Sequence, residues 1–272
     1  MRVASLGSGS RGNATLVAQD QTLLMIDCGF GLSEAERRAE RLGVRLADLD
    51  AILVTHEHSD HASGVAALAR RYDIPVFLTH GTLASGRVPG KLDFRSFDAD
   101  STLHIGALTI HAVAVPHDAR EPVQYVLQSA SHRVGVLTDL GSGTPHVAAA
   151  FRGCELLLLE FNHDRRLLAE GPYPPSLKRR VGGAWGHLSN TQAAELLAEL
   201  EPEGLRQLFV AHISEKNNTR EHVEAILAER FPDLLPRLTW ACQEEGFPWF
   251  DLTPVTPVTY KAVASGEGVE AY

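Results

Sequence analysis

The sequence has no apolar run approaching the roughly 18 residues of a membrane-spanning helix, so no membrane partner is expected. Its N-terminus, MRVASLGSGS, lacks the hydrophobic core of a leader and alternates like a strand before turning, which makes a cytoplasmic location the expectation. Cysteine is scarce: Cys28, Cys154 and Cys242 are odd in number, far apart and set among apolar neighbours. That spacing argues for buried free thiols and against a disulfide or a thiolate metal site. Positive charge is short as well, with 25 Lys and Arg against 34 Asp and Glu and a formal net charge of −9. The molecule as a whole repels a polyanion, so any role on nucleic acid must rest on a local basic patch. Repeats, low-complexity stretches and interdomain linkers are missing too. The 272 residues, 44% hydrophobic and 22% charged, read as a single domain over 1–272 with a tail at 254–272.

What the chain does contain is alternation. ATLVAQDQTLLMIDCG reads as two strands around a polar turn, and SEAERRAERLG as a short charged helix with Ser33 as N-cap and Gly43 just past its end. AILVT and IPVFLT are buried strands flanking the helical ASGVAALARRY. Strand signals dominate from FRSF to RVGVLTD; helix and strand then alternate through TPHVAAAFRG, CELLLLEF, NTQAAELLAEL, RQLFVAHI and TREHVEAILAERF. Ser189 with Gln192 forms a capping-box signature. The economical architecture is α/β, with two mixed sheets face to face and helices on the outside, a four-layer αββα sandwich. The segment 164–186 shows no internal pattern and reads as one long loop.

One stretch concentrates titratable groups. In LVTHEHSDHASG, His56 and His58 lie two apart, so an extended backbone points both the same way. Asp60 and His61 follow where the chain turns toward a helix. A tight turn there can aim the two pairs at points about 3.5–4 Å apart, the spacing of two-metal hydrolytic sites. A solvated polar turn is the alternative. Three more strands, however, each end in one ligand-type residue: His117 after LTIHAVAVP, Asp139 after RVGVLT and His212 after QLFVA. Imidazole and carboxylate donors without thiolate suit zinc, manganese or iron.

This set, from His56 through Asp60 and His61 to His117, Asp139 and His212, resembles the signature of the metallo-β-lactamase superfamily. The resemblance implies an αββα sandwich with two divalent cations. His56, His58 and His117 would hold one, Asp60, His61 and His212 the other, with Asp139 bridging them. The superfamily's oxygen-reducing branch carries glutamate where His58 stands, which weakens a redox reading.

Glu160 ends the strand LLLLE, and His187 immediately precedes a capped helix. Read alone, each is equally a solvated strand end and a helix-start residue. Together they are similar to a pair in the superfamily's tRNA 3′-processing members, where a glutamate orients a histidine toward the scissile phosphate or leaving oxygen. SLGSGSRGN, GHLSN and AHISEKNN further resemble the YycJ/VicX-like group, which is linked to 5′→3′ exonuclease activity on DNA. The expected catalytic residues are therefore Asp60, Glu160 and His187. Hydroxide generated from a shared metal-bound water would attack phosphorus while His187 protonates the departing oxygen.

The expected partner is nucleic acid, DNA ahead of RNA. The stretch 165–186 holds Arg165, Arg166, Lys178, Arg179 and Arg180 against the single acid Glu170, with Tyr173 and Trp185 available to stack on bases. Ser8, Ser10 and Asn13 of the GSGSRGN turn, Arg179, Arg180, Ser214 and Asn217 are the candidate substrate contacts. A plain hairpin turn and a solvated basic loop remain the competing readings of those segments. Hydrolysis of a small ester, thioester or lactone is the alternative activity, and a non-catalytic regulatory protein a third.

Overall fold

The computed structural model describes residues 1–252, so the expected tail at 254–272 lies outside the described residues. Strands β1 (Arg2–Gly7), β2 (Ala14–Gln19), β3 (Thr22–Ile26), β4 (Ala51–Leu53), β5 (Val76–Thr79) and β6 (Phe94–Phe97) follow one another across the first sheet. Strands β7 (Thr102–Ile105), β8 (Leu108–Ala114), β9 (Val123–Gln128), β10 (Arg133–Leu137), β11 (Leu156–Glu160), β12 (Gln207–Ala211) and β13 (Leu238–Trp240) do the same in the second. β14 (Phe247–Asp251) then crosses back to pair antiparallel with β1. Each sheet is mixed: β1 to β3 and β7 to β10 pair antiparallel, whereas β3 to β6 and β10 to β13 pair parallel.

The apolar runs exist because the parallel strands are covered on both faces. Along β11, Leu156 and Leu158 point between the sheets with Ile26, Leu53, Tyr125 and Phe209, while Leu157 and Leu159 point outward. The outward face meets α5 (Pro145–Phe151), α8 (Asn190–Glu199) and α9 (Arg220–Arg230) through Phe151, Leu197 and Leu227. On the opposite flank α1 (Leu32–Arg41) and α3 (Val65–Tyr72) bring Ala39 and Leu68 onto Leu16 and Ile52. The result is the four-layer αββα sandwich expected from the alternation.

Two expectations need correcting. Helix α1 begins one residue ahead of Ser33; Gly31 is its N-cap, without a side-chain bond, and Ser33 sits inside the first turn. The segment 164–186 is also not one loop, for it carries α6 (Arg165–Glu170) and α7 (Pro175–Val181). Asp164 caps α6 by accepting the amides of Arg166 and Leu167, each at 2.9 Å, and consecutive prolines start α7. Helices of six and seven residues are too short for a 3.6-residue period to show in sequence. The capping box forms as read, with Ser189 and Gln192 serving each other. Short helices α2 (Ser59–Ala62) and α4 (His80–Ala84) complete the described α-helices.

Candidate metal centre

The C-terminal ends of β3, β4, β10, β11 and β12 gather on one rim, which is where open α/β sheets place their ligands. Just past β4, His56 is fully buried and turns Nε2 toward Nδ1 of His58, 3.0 Å away. Nε2 of His117, from the turn after β8, reaches the same His58 nitrogen at 3.3 Å. What stands behind each ring decides which nitrogen is free. Nδ1 of His117 lies 3.0 Å from the carbonyl oxygen of Gly186, which can only accept, so the proton sits on Nδ1 and the Nε2 lone pair faces inward. Nδ1 of His56 lies 2.9 Å from the Thr55 hydroxyl, which donates its own proton to Asp27 (2.8 Å) and so accepts from the ring. Burial, reinforced by the neighbouring His61, holds His56 well below the ordinary imidazole value, and burial also lowers His117. Neutral rings with converging lone pairs are what a divalent cation needs.

Beside this group lies a second, richer in charge. Nε2 of His61 is 3.5 Å from Asp60 Oδ2 and 3.1 Å from Asp139 Oδ2. Nε2 of His212 is 3.7 Å from Asp60 Oδ2 and 3.6 Å from Asp139 Oδ1. His56, His61 and Asp139 form a further convergent set, so Asp139 stands between the two groups. Burial opposes charge on His61 and His212, but Asp139 and the surrounding carboxylates outweigh it, raising His61 well above its usual range and His212 to about 10. Asp139 is itself held well below the usual carboxylate range: burial works against its charge, and His212 and His61 prevail.

Two observations test whether these residues fit a pair of cations. Asp139 Oδ2 and His212 Nε2 are buried, and although His61 and the carboxylates stand 3.1–3.7 Å away, neither makes an aligned hydrogen bond among the described residues. Buried polar atoms are rarely left so. Both belong to convergent sets of nitrogen and oxygen donors, with no sulfur, that can hold metal. The residues present fit.

The backbone is bent to bring this about. Asp27, Asp139 and His212 each follow a strand end and each adopt a left-handed conformation, with φ of 60°, 52° and 50°. Such residues cluster where function over-determines the backbone, at about 1–3 kcal/mol each. Two buried carboxylates then hold the ligand rings. Asp27 accepts the Thr55 amide (2.8 Å) and hydroxyl (2.8 Å), and its Oδ2 faces Nδ1 of His61 at 2.8 Å. Glu160 accepts the amides of Leu140 (3.1 Å) and Leu188 (2.9 Å). Its Oε2 faces Nδ1 of His187 at 3.1 Å and Nδ1 of His212 at 3.5 Å. Burial resists ionisation of Glu160, yet His187 and His212 draw it down to about 2.

These groups open onto a cavity of about 680 Å³, lined among others by His58, Asp60, Asp139, His187 and His212. Of the candidate substrate contacts, Ser10 and Arg180 line it, and Arg180 is paired with Asp118. Ser8 accepts the His212 amide (3.0 Å), and Asn13 bonds Gly9 and reaches Nε2 of His61 (3.1 Å). Ser214 and Asn217 are buried and bonded to each other. Arg179 lines a smaller cavity on the far side of α7 with Lys178 and His163. Trp185 is 63% exposed, while Tyr173 lines the central cavity. Sequence reasoning passed over Arg87 and Arg120, which also line it. Neither lies in a motif, and only the folding of distant turns brings them there.

The family model described as "Beta-lactamase superfamily domain" matches residues 22–213. The chain is 33% identical over 221 residues to the exodeoxyribonuclease YycJ of Bacillus anthracis, covering 79% of this chain and 83% of that protein. It is 32% identical over 222 residues to the exodeoxyribonuclease WalJ of Streptococcus pneumoniae, covering 79% and 82%. Among solved structures, the metallo-β-lactamase fold protein YhfI from Bacillus subtilis superposes with a TM-score of 0.71 at 18% identity, over 92% of this chain and 99% of that one.

Proposed function

The chain belongs to the β-lactamase superfamily, and from that premise we propose that it is a metal-dependent phosphodiesterase acting on nucleic acid, DNA ahead of RNA, with exonuclease-like action. The observation that carries the reading is the contact between Glu160 Oε2 and His187 Nδ1, 3.1 Å, beside the two donor groups. A carboxylate behind one ring nitrogen fixes the ring and turns the other nitrogen to the cavity, which is the arrangement of a general acid. The relatives named exodeoxyribonuclease supply the substrate class.

In this reading His56, His58 and His117 hold one divalent cation, and Asp60, His61 and His212 the other, with Asp139 between. The bound cations would neutralise charge on the phosphate oxygens and lower the pKa of water toward neutrality. Asp27 and Glu160 keep the rings of His61 and His212 in register, and Gly186 does so for His117. His187, held by Glu160, would deliver a proton from its cavity-facing nitrogen to the leaving oxygen. Zinc, manganese and iron are all compatible with the nitrogen and oxygen donors.

The test is one assay with Mn²⁺ or Zn²⁺ on three substrates: 5′-phosphorylated single-stranded DNA, the matching RNA and a chromogenic lactone. Cleavage of DNA at the highest rate is expected. Turnover of the lactone alone overturns the proposal in favour of small-ester hydrolysis.

A further inference from the structure

The cavity has two chemically different walls. On one side stand Arg87, just after α4, and Arg120, in the turn after His117; both are exposed and neither has an ion-pair partner among the described residues. Arg120 is placed there by the glutamate of the histidine motif. Its backbone N–H donates to Glu57 Oε1 at 2.9 Å, which pins the turn against the 56–58 segment. On the other side α7 and the residue before its prolines present Tyr173, Leu177 and Val181. The cation on that wall, Arg180, is neutralised by Asp118. Tyr173 lines the cavity and also lies near Lys216, whose Nζ is 5.9 Å from the ring centroid.

A cavity lined by two unpaired arginines from one set of turns and by an aromatic and aliphatic surface from the α7 segment suits one unpaired nucleic-acid strand, backbone to the arginines and base to the ring. At about 680 Å³ the cavity is of small-ligand size, within the roughly 300–1,000 Å³ usual for such pockets. We propose that the reacting end enters as a single strand, its phosphates along Arg120 and Arg87 and a base stacked on Tyr173, with Glu57 as the positioning residue for Arg120. This rests on the nucleic-acid reading and specifies how that substrate is held.

The two walls can be separated by salt. Binding of a short fluorescent 5′-phosphorylated single strand with phosphorothioate linkages, followed by anisotropy at several salt concentrations, reads them independently of turnover. Losing two phosphate contacts from a single strand lowers the slope of log K against log salt by about 1.4 in magnitude. The double variant Arg87→Ala/Arg120→Ala should show that change with any base sequence. Tyr173→Ala should weaken binding roughly 5- to 150-fold at unchanged slope, and a strand made of abasic residues should remove the difference. Tyr173→Phe should bind like the parent, which separates loss of the ring from misfolding. Glu57→Gln should weaken binding less than Arg120→Ala. An unchanged slope in the arginine variant, or equal loss for Tyr173→Ala on abasic and normal strands, overturns the two-wall assignment. Failure of the parent protein to bind the strand at all would instead remove the nucleic-acid reading on which it stands.

Discussion

His187 is one-fifth exposed while Glu160, 3.1 Å from it, is fully buried, a contrast that agrees with the roles proposed for them. A group that only shapes the fold has no reason to face the cavity; one that only meets solvent has no reason to be backed by a buried carboxylate. Replacing His187 by Ala should leave bound metal unchanged and lower the rate by about 10²–10⁴-fold, the usual worth of a general acid. Metal analysis beside steady-state kinetics checks this, and loss of metal together with activity would make His187 a ligand. Glu160 differs, since it contacts His212 as well as His187 and accepts two backbone amides. Glu160→Gln should therefore disturb both metal content and rate. Both residues are legible as strand-end and helix-start positions; that the glutamate orients the histidine comes only from the family resemblance, because nothing local in the chain brings together residues 27 apart.

At the scale of elements, the turn from α7 to α8 joins the basic segment to the metal groups. Gly186 gives its carbonyl to His117, and His187 donates its amide to the carbonyl oxygen of Val181 at 2.8 Å. A Cβ on Gly186 would lie 2.1 Å from the carbonyl oxygen of Arg180 and 2.2 Å from that of Val181, far inside contact distance. Gly186→Ala must therefore displace the turn and pull the support from His117. The expected result is cation affinity lowered about 10–100-fold, the usual cost of losing such a partner, in a protein whose far-ultraviolet spectrum is unchanged. Metal competition titration measures it. Residue patterns located the flanking elements, including the capping box on α8. They missed α6 and α7 because two short helices started by Asp164 and by a proline pair leave no periodic trace.

For the whole molecule, burying this many charges in one rim ties stability and metal uptake to pH. Glu160 is drawn from 4.5 to about 2, so without metal its contribution is present above pH 4.5 and fades as pH falls through about 2. His212 is raised from 6.5 to about 10, so its contribution is complete below pH 6.5 and fades as pH rises through about 10. Chelated protein should melt highest between these limits, and calorimetry across pH should show the midpoint falling on both sides. In the proposed site, cations would displace the protons on His61 and His212, so metal addition near pH 8 should acidify a weakly buffered solution. Uptake without proton release would remove those rings from the coordinating set. Residue order alone points to the layered architecture and the candidate rim residues, because periodicity and strand-end polarity are local properties that survive in one dimension. Which lone pairs face inward, which arginines remain unpaired and which serines and asparagines brace the loops instead of facing the cavity depend on contacts between segments up to two hundred residues apart. Such contacts exist only once burial has closed the two sheets on each other.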